Sequence, residues 1–204
     1  MEADFWRTRW QRNEIGFHQE RPHDALARFW EQLGLAPGAR VFVPLAGKSL
    51  DLVWLARQGH AVVGIELSEI AVRDFHAEHG PIDGLDLRCG DLFDLTAGTL
   101  GRIEAVFDRA SLVALPPPMR QRYAAQLAEL SPPGTRTLLV TMEYDQSRMA
   151  GPPHSVPEAE VHELFGATHH IEWLARDSCL SDFPRFSQRG VDALAEAFYL
   201  LTRR

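Results

Sequence analysis

Short apolar segments alternate with helical segments along most of the chain, and this alternation restricts the fold more than any other feature. The apolar segments are rich in β-branched and aliphatic residues, and glycine, proline or polar turns bound them. Strands separated by helices of about this length form parallel β/α units, so the sequence predicts an α/β fold with a doubly wound sheet. The predicted parallel strands are Arg40–Leu45, Ala61–Leu67, Leu85–Cys89, Ala105–Asp108 and Thr135–Glu143.

The remaining segments complete the predicted order of elements. Ser68 is predicted to cap the helix that follows the second strand. Near the end of the chain, His170–Arg176 and Ala197–Leu201 are predicted to form a closing antiparallel pair. A chain of 204 residues is long enough for one sizeable core, so we expect a single domain over residues 1–204. The predicted helices are Asp24–Leu33, Leu50–Arg57, Ala71–His79, Met119–Leu130 and Val156–Phe165.

This topology also predicts where a ligand binds. In doubly wound sheets, ligands bind beyond the carboxyl ends of the strands, near the point where the strand order reverses. We therefore expect the functional site to be built from the loops that follow the first four strands. Those loops are Leu45–Ser49, Glu66–Ser68, Gly90–Leu92 and Asp108–Ser111.

The charge balance argues against nucleic acid and membrane as partners. Lys and Arg together number 21 and Asp and Glu number 28, which gives a formal net charge of −7. Nucleic acid and anionic membranes are bound through a basic surface, so neither is an expected partner. The segment MEADFWRTRWQ carries charges where a signal peptide needs an apolar core. We therefore expect a cytoplasmic protein that binds a small molecule.

Histidine and cysteine are present without the spacing of a metal site. The chain has nine histidines, but the pair His76 and His79 lacks an HExxH pattern or a cysteine-rich ligand set. Cys89 and Cys179 are far apart in the chain and are expected to be reduced thiols. The sequence therefore predicts no bound metal.

The stretch VFVPLAGKSLDL looks like a strand followed by a phosphate-binding loop. A Walker A loop needs a glycine five residues before the one that precedes its lysine, and Phe42 occupies that position. The G-x-G-x-x-G pattern of dinucleotide-binding proteins is also absent. The loop therefore favours a ligand without phosphates. Gly47 lets the backbone approach that ligand, and Lys48 and Ser49 begin a helix whose amino end can meet a carboxylate.

Two acidic residues follow the second and third strands. Glu66 ends the second strand, 19 residues after Gly47, where a carboxylate can accept hydrogen bonds from both hydroxyls of a ribose. Asp91, in CGDLFDL, can accept a hydrogen bond from the amino group of adenine. Each is also explained as an ordinary strand-end or turn residue. Together with a loop that lacks phosphate-binding glycines, they suit S-adenosylmethionine, which carries an amino acid in place of phosphates.

Five long segments follow one another along the chain: WQRNEIGFHQERPH, VFVPLAGKSLDLVWLARQGHAVVGIELSE, FDRASLVAL, MEYDQSRMAGPPHSVPEAEVHELFG and GVDALAEAFYLLTR. They resemble the bacterial branch of the thiopurine S-methyltransferase family. The resemblance implies the class I methyltransferase (Rossmann-like) fold, a seven-stranded, mostly parallel sheet with helices on both faces and an antiparallel last strand. It also implies that residues 1–35 form a helical cover over the active site.

The resemblance implies roles for individual residues at matched positions. His154 stands where family members often carry an aromatic residue. Asp108 has no such family role, but as the neighbour of Arg109 it is a candidate for orienting that side chain. The implied contacts of S-adenosylmethionine are Trp10, Leu45, Glu66, Asp91, Leu92 and Arg109, to which the turn argument adds Gly47. The implied contacts of the methyl acceptor are Phe17, His18, His154 and Arg185.

These matches imply a monomeric enzyme that transfers the methyl group of S-adenosylmethionine to the sulfur of thiopurines or other aromatic or heterocyclic thiols. A heteroaromatic thiol is acidic, so a dedicated base is optional, and Arg109 and Arg185 are expected to orient the acceptor. Two alternatives stay open. The same site could methylate selenium or tellurium oxyanions in metalloid detoxification. A non-catalytic nucleoside-binding module is a different class, since a fold alone does not prove activity.

Overall fold

The computed structural model describes residues 3–204, and seven strands form one sheet. In chain order the strands are β1 (Arg40–Val43), β2 (Ala61–Glu66), β3 (Leu85–Cys89), β4 (Ala105–Arg109), β5 (Arg136–Tyr144), β6 (His169–Ser178) and β7 (Leu194–Arg203). Their order across the sheet is β3-β2-β1-β4-β5-β7-β6. β1 to β5 pair in parallel, whereas β7 runs antiparallel to both of its neighbours. The expected α/β sheet with an antiparallel last strand is confirmed.

The helices cover both faces of this sheet. Within residues 3–204 they are α1 (Ala3–Gln11), α2 (Asp24–Phe29), α3 (Leu50–Arg57), α4 (Glu69–His79), α5 (Ala97–Leu100), α6 (Pro117–Leu130), α7 (Glu158–Phe165) and α8 (Pro184–Gln188). As expected, Ser68 caps α4, and its side chain accepts a hydrogen bond from the backbone N–H of Ala71. Over the same residues, none of the helices has the length and apolarity needed to cross a membrane.

Several observed boundaries differ from the predicted ones by a few residues, and the backbone conformation explains two of these differences. β1 ends at Val43, before the predicted end at Leu45, because Leu45 has a φ of 45°, outside the β region. The predicted helix Asp24–Leu33 changes after α2 into a 3-10 turn, which ends at Gly34 in the left-handed conformation with φ 53°. Glycine adopts that conformation at little cost, so it ends the turn cleanly.

The core lies on both sides of the sheet, which explains the continuous apolar runs of the parallel strands. Along β1, Phe42 faces a cluster that includes Tyr123 and Leu127 of α6. Val41 and Val43 face the opposite cluster, with Leu52 and Leu55 of α3. Because both faces are covered, the interior residues of β1 and β2 are all apolar or small, whereas the edge strand β3 carries Asp86 and Arg88.

The amino-terminal segment crosses the carboxyl edge of the parallel strands. α1 lies near α4, and Trp10 at its end packs against the loop that follows β1, where a Cβ atom on Gly47 would lie 3.4 Å from the indole ring. His23 ends the segment and caps α2, its ring accepting a hydrogen bond from Ala25 N–H. Residues 3–23 therefore form a cover over the edge of the sheet, and we call them the cover.

Candidate active site

A cavity of about 330 Å³ lies between the cover and the carboxyl ends of β1, β2, β3 and β4. This is the edge at which doubly wound sheets bind their ligands. The structure brings nine of the residues proposed from the sequence into the wall of this cavity: Trp10, Phe17, His18, Leu45, Gly47, Glu66, Asp91, Leu92 and Arg109. Arg185 and His154 are not among its lining residues.

The loop after β1 is held by the acid at the end of β2. Glu66 is only 6% exposed, and its two oxygens accept hydrogen bonds of 2.8 Å from the backbone N–H groups of Gly47 and Ser68. Burial raises the pKa of Glu66, and these backbone donors partly offset that effect. Because a carboxylate oxygen can accept more than one hydrogen bond, Glu66 retains acceptor capacity for a diol in the cavity.

Asp91 organises the wall of the cavity beyond β3. Its side chain accepts a 2.9 Å hydrogen bond from Phe93 N–H and thereby caps the 3-10 turn Leu92–Asp94. From α6, the amide of Gln126 donates to the carbonyl groups of Leu92 and Leu95 at 3.1 and 2.8 Å. The turn is therefore fixed from both sides.

Phe93 and Arg122 also line this part of the cavity, and sequence reasoning missed both. The Arg122 guanidinium lies 4.0 Å from the centroid of the Phe93 ring, the geometry of a cation–π contact. The available signal was the aromatic residue two positions after Asp91 in CGDLFDL. Nothing in the sequence indicated that Arg122 of α6 reaches the same loop.

Three aromatic side chains form the roof of the cavity. The ring of Phe17 contacts those of Trp6 and Trp10 edge to face, with centroid distances of 5.5 and 5.7 Å. Edge-to-face pairs of this kind add stability beyond the burial of their area. The roof therefore offers an aromatic, apolar surface above the strand ends, and sequence reasoning did not anticipate the contribution of Trp6.

Arg185 fastens this roof from outside the cavity. Its guanidinium donates a hydrogen bond to the carbonyl oxygen of Gly16, next to Phe17. Burial and the nearby Arg189 lower the pKa of Arg185. Since Arg185 belongs to α8, this contact joins the cover to the carboxyl-terminal part of the chain.

His154 lies behind the wall. Pro152 and Pro153 line the cavity, whereas His154 is buried and its backbone N–H donates a 2.6 Å hydrogen bond to the carbonyl of Val113. Its ring packs against Gly151 so closely that a Cβ atom there would lie 2.5 Å from Nδ1. His154 therefore supports the segment that carries Pro152 and Pro153 and does not itself lie on the cavity surface.

The end of the cavity near β4 is charged. Nη1 of Arg109 lies 3.9 Å from Oδ2 of Asp51, which sits in the first turn of α3 and also lines the cavity. Nζ of Lys48 is paired with Glu78 at 2.5 Å. Burial, and then the positive charge of Lys48, lower the pKa of His18, so its imidazole is neutral at pH 7. Sequence reasoning missed Asp51, because an acid in the first turn of a helix is common.

Asp108 does not orient Arg109 through a side-chain contact, contrary to the hypothesis from sequence. Its carboxyl group is fully buried, and it accepts hydrogen bonds from Tyr123 Oη at 2.7 Å and from Leu112 N–H at 3.3 Å. Burial raises the pKa of Asp108 to about 6. Arg109 points the other way, toward Asp51.

The donor and acceptor groups of the cavity suit S-adenosylmethionine. Glu66 is an acceptor placed for hydroxyl groups, the turn after Asp91 provides an apolar and hydrogen-bonding end, and Arg109 and Asp51 provide a charged end. A triphosphate would need several unpaired cations and a glycine-rich loop. Lys48, the lysine of the loop after β1, is already paired with Glu78, so it is not free to bind a triphosphate.

Known proteins resemble this chain over its whole length. The family model described as Thiopurine S-methyltransferase (TPMT) matches residues 1–204. The chain is 48% identical to the thiopurine S-methyltransferase of Azotobacter vinelandii, and the alignment covers 100% of each. It is 45% identical to that of Nitrosospira multiformis, covering 100% of this chain and 99% of the relative.

Solved structures share the fold. With a TM-score of 0.69 and 19% identity, the chain resembles the 1,6-didemethyltoxoflavin-N1-methyltransferase of Burkholderia thailandensis, which was solved with bound S-adenosylhomocysteine. The match covers 98% of this chain and 87% of that one. An S-adenosylmethionine-dependent methyltransferase from Anabaena variabilis gives a TM-score of 0.70 at 13% identity, covering 99% and 95%.

Proposed function

Because the chain belongs to the thiopurine S-methyltransferase family and uses S-adenosylmethionine as its methyl donor, we propose that it methylates the sulfur of thiopurines or related heteroaromatic thiols. The observation that carries this proposal is the aromatic roof of Trp6, Trp10 and Phe17 beside the positive charge of Arg109. A flat ring can stack or pack against the roof, while the guanidinium favours the thiolate over the thiol.

In this proposal the cofactor occupies the part of the cavity that follows β2 and β3. Glu66 accepts hydrogen bonds from the ribose hydroxyls, and Asp91 and Leu92 bind the adenine end. Leu45 and Gly47 bring backbone close to the ligand, and Trp10 covers it. When bound, the cofactor supplies an electrophilic methyl group on a sulfonium. The chain's own contribution is to position this group and to exclude water with the cover.

The acceptor binds under Phe17, next to His18 and Arg109. The acidic thiol would lose its proton to solvent, and its sulfur would bond to the methyl carbon as the methyl–sulfonium bond breaks. The products would be a methyl thioether and S-adenosylhomocysteine. A neutral His18 can accept a hydrogen bond from the incoming thiol. Arg185 contributes through Gly16, whose carbonyl it holds, and so sets the position of Phe17.

A second candidate acceptor is a selenium or tellurium oxyanion. Two basic side chains, Arg109 and Arg122, line the cavity, and their positive charges favour an anion. The aromatic roof has no role in binding such an ion, so replacing Phe17 separates the two candidates.

The test is a panel of acceptors incubated with purified protein and methyl-labelled S-adenosylmethionine. 6-Mercaptopurine and related thiols should be methylated, and Phe17→Leu should lower kcat/KM for them roughly two- to tenfold, because it removes an aromatic contact. Trp173→Leu is a matched control, since Trp173 is a 40% exposed aromatic residue on the edge strand β6, away from the cavity. Turnover of selenite or tellurite alone, unaffected by Phe17→Leu, would favour the second candidate and contradict the first.

A further inference from the structure

We propose that Arg120 is a positioning residue for the methyl acceptor, because it fixes residues 151–153, which form part of the cavity wall. We call residues 151–153 the wall segment. This proposal rests on the proposed function, since it concerns the acceptor of the same reaction. Arg120 itself does not line the cavity and has no role in the mechanism above.

The wall segment lies away from the residues proposed to bind the cofactor. It follows β5, whereas Glu66 ends β2 and Asp91 follows β3. In the sheet, β1 and β4 separate β2 from β5. Pro152 and Pro153 therefore border the part of the cavity beyond β4, next to Arg109, where the acceptor is proposed to bind.

Arg120 joins the elements that surround the wall segment. Its side chain is 1% exposed and lies in the first turn of α6. Nε donates a 3.0 Å hydrogen bond to the carbonyl of Leu115, which lines the cavity, and Nη1 donates one of 2.5 Å to Glu160 in the first turn of α7. Because both bonds leave from one planar guanidinium, they fix the start of α7 relative to the start of α6.

Two side chains that hold the wall segment lie near the same guanidinium. Tyr144 Oη donates a 2.6 Å hydrogen bond to the carbonyl of Pro153, and the ring of His154 packs on Gly151. Burial, and then the positive charge of Arg120, lower the pKa of His154. Burial raises the pKa of Tyr144, and the charge of Arg120 opposes this rise. The charge of Arg120 therefore reaches the side chains at both ends of the wall segment.

Stability alone does not account for the pair of Arg120 and Glu160. Nη2 of Arg120 and Nε2 of His154 are buried and have no hydrogen-bond partner among residues 3–204. A buried ion pair is often no more stable than apolar residues of the same volume, because both charges lose their hydration. An unpaired buried donor adds a further cost. The pair is therefore better explained by the position that it gives to the wall segment.

The experiment compares wild type with Arg120→Met and with the double variant Arg120→Met, Glu160→Gln. Met keeps most of the side-chain volume, and Gln avoids an unpaired carboxylate, so the double variant should fold even if Arg120→Met does not. In both variants KM for 6-mercaptopurine should rise about three- to tenfold, because the wall no longer fixes the acceptor. The value of kcat, and Kd for S-adenosylhomocysteine measured by calorimetry, should stay within about twofold of wild type. A loss of folded protein would instead lower the apparent kcat.

Hydrogen exchange measured by NMR gives a readout that does not need turnover. The backbone N–H of His154 donates to the carbonyl of Val113 at 2.6 Å, directly after the wall segment. In both variants this N–H should exchange about tenfold faster or more. The backbone N–H of Gly47, which donates to Glu66 on the cofactor side, should exchange as in wild type.

Arg203→Met is the matched control. Arg203 also donates to a carbonyl of α6, that of Ala128, and to the carbonyl of Thr168, but it does not line the cavity. This variant should keep the wild-type KM and the wild-type exchange at His154.

A wild-type KM or wild-type exchange at His154 in the double variant overturns the proposal. Equal increases of KM and of Kd for S-adenosylhomocysteine also overturn it, since Arg120 would then support the whole cavity. If the wild type methylates no thiol, the proposed function fails, and the exchange at His154 still decides whether Arg120 holds the wall segment.

Discussion

The hydroxyl group of Tyr123 donates a 2.7 Å hydrogen bond to the carboxyl group of Asp108, which has no exposed surface. Asp108 precedes Arg109 at the end of β4, so this buried contact lies directly beneath the charged end of the cavity. Burial raises the pKa of Asp108 to about 6, from 3.8, even though two hydrogen bonds favour the carboxylate.

This raised pKa predicts how stability depends on pH. A carboxyl group whose pKa is higher in the folded state contributes stability that is complete below 3.8 and is lost as the pH rises through about 6. Asp108→Asn should therefore gain stability relative to wild type between pH 4 and 7, by at most about 3 kcal/mol. Urea unfolding across this range measures the difference. The pKa of Glu66 is also raised by burial, and this adds to the pH dependence of both proteins. The effect of Asp108 is therefore read from the difference in unfolding free energy between wild type and Asp108→Asn. A difference that does not change with pH would refute the prediction.

Replacement of Glu66 by Gln should weaken binding of the cofactor. Both oxygens of Glu66 accept hydrogen bonds from backbone N–H groups. In Gln one oxygen is replaced by an NH2 group, which cannot accept a hydrogen bond. The lost hydrogen bond costs about 1–3 kcal/mol, or roughly 5- to 150-fold in affinity for S-adenosylhomocysteine. Glu69→Gln, at the exposed start of α4, is the control. The wild type should also discriminate against a 2′-deoxyribose analogue, and a variant that still does so to the same extent would argue against a ribose contact.

Replacement of Gly47 by Ala should affect the cofactor more than it affects folding. Gly47 has a φ of 56°, and an added Cβ atom would meet the Trp10 ring at 3.4 Å. Gly38 has a φ of 76° with nothing within 4 Å of such an atom. Both substitutions should therefore cost about 1–2 kcal/mol of stability. Only Gly47→Ala should weaken binding of S-adenosylhomocysteine, measured by calorimetry, and equal affinities for the two variants would contradict the proposed contact.

Arg185→Ala should lower turnover of the acceptor while leaving cofactor affinity nearly unchanged. The guanidinium bonds to Gly16 beside Phe17, whereas the residues proposed to bind the cofactor lie on the strand-end loops and α1. We expect a higher KM for 6-mercaptopurine and a thermal midpoint close to that of wild type. Arg189→Ala, at the end of the same helix, lacks the bond to the cover and should behave like wild type. Unchanged acceptor kinetics in Arg185→Ala would remove Arg185 from the mechanism.

Much of the sheet could be predicted because its residues carry a local signal. β2 and β5 are apolar on both faces and are bounded by turns, so periodicity and punctuation define them. Glu66 and Gly47 could be proposed as site residues for the same reason, since the end of a parallel strand is where ligands bind. The error at Leu45 was different, because an aliphatic residue with positive φ has no sequence signal.

The rest of the site depends on contacts between distant parts of the chain. Asp51 looks like an ordinary residue in the first helical turn until His23, 28 positions away, donates to it. Arg185 reaches Gly16 across 169 positions, which no spacing rule anticipates. Trp6 becomes part of the roof only because the cover folds over the strand ends. Such roles are set by tertiary packing and not by local pattern.

The cavity takes its walls from the ends of four neighbouring strands whose pairings are all parallel and non-local. A partly folded chain that has not closed these pairings has no complete binding surface, so ligand binding energy is available only to the fully folded state. Bound cofactor is therefore expected to lower the rate constant of unfolding and to leave the rate constant of refolding unchanged. We therefore expect the resistance of this protein to proteolysis to increase with the concentration of its cofactor.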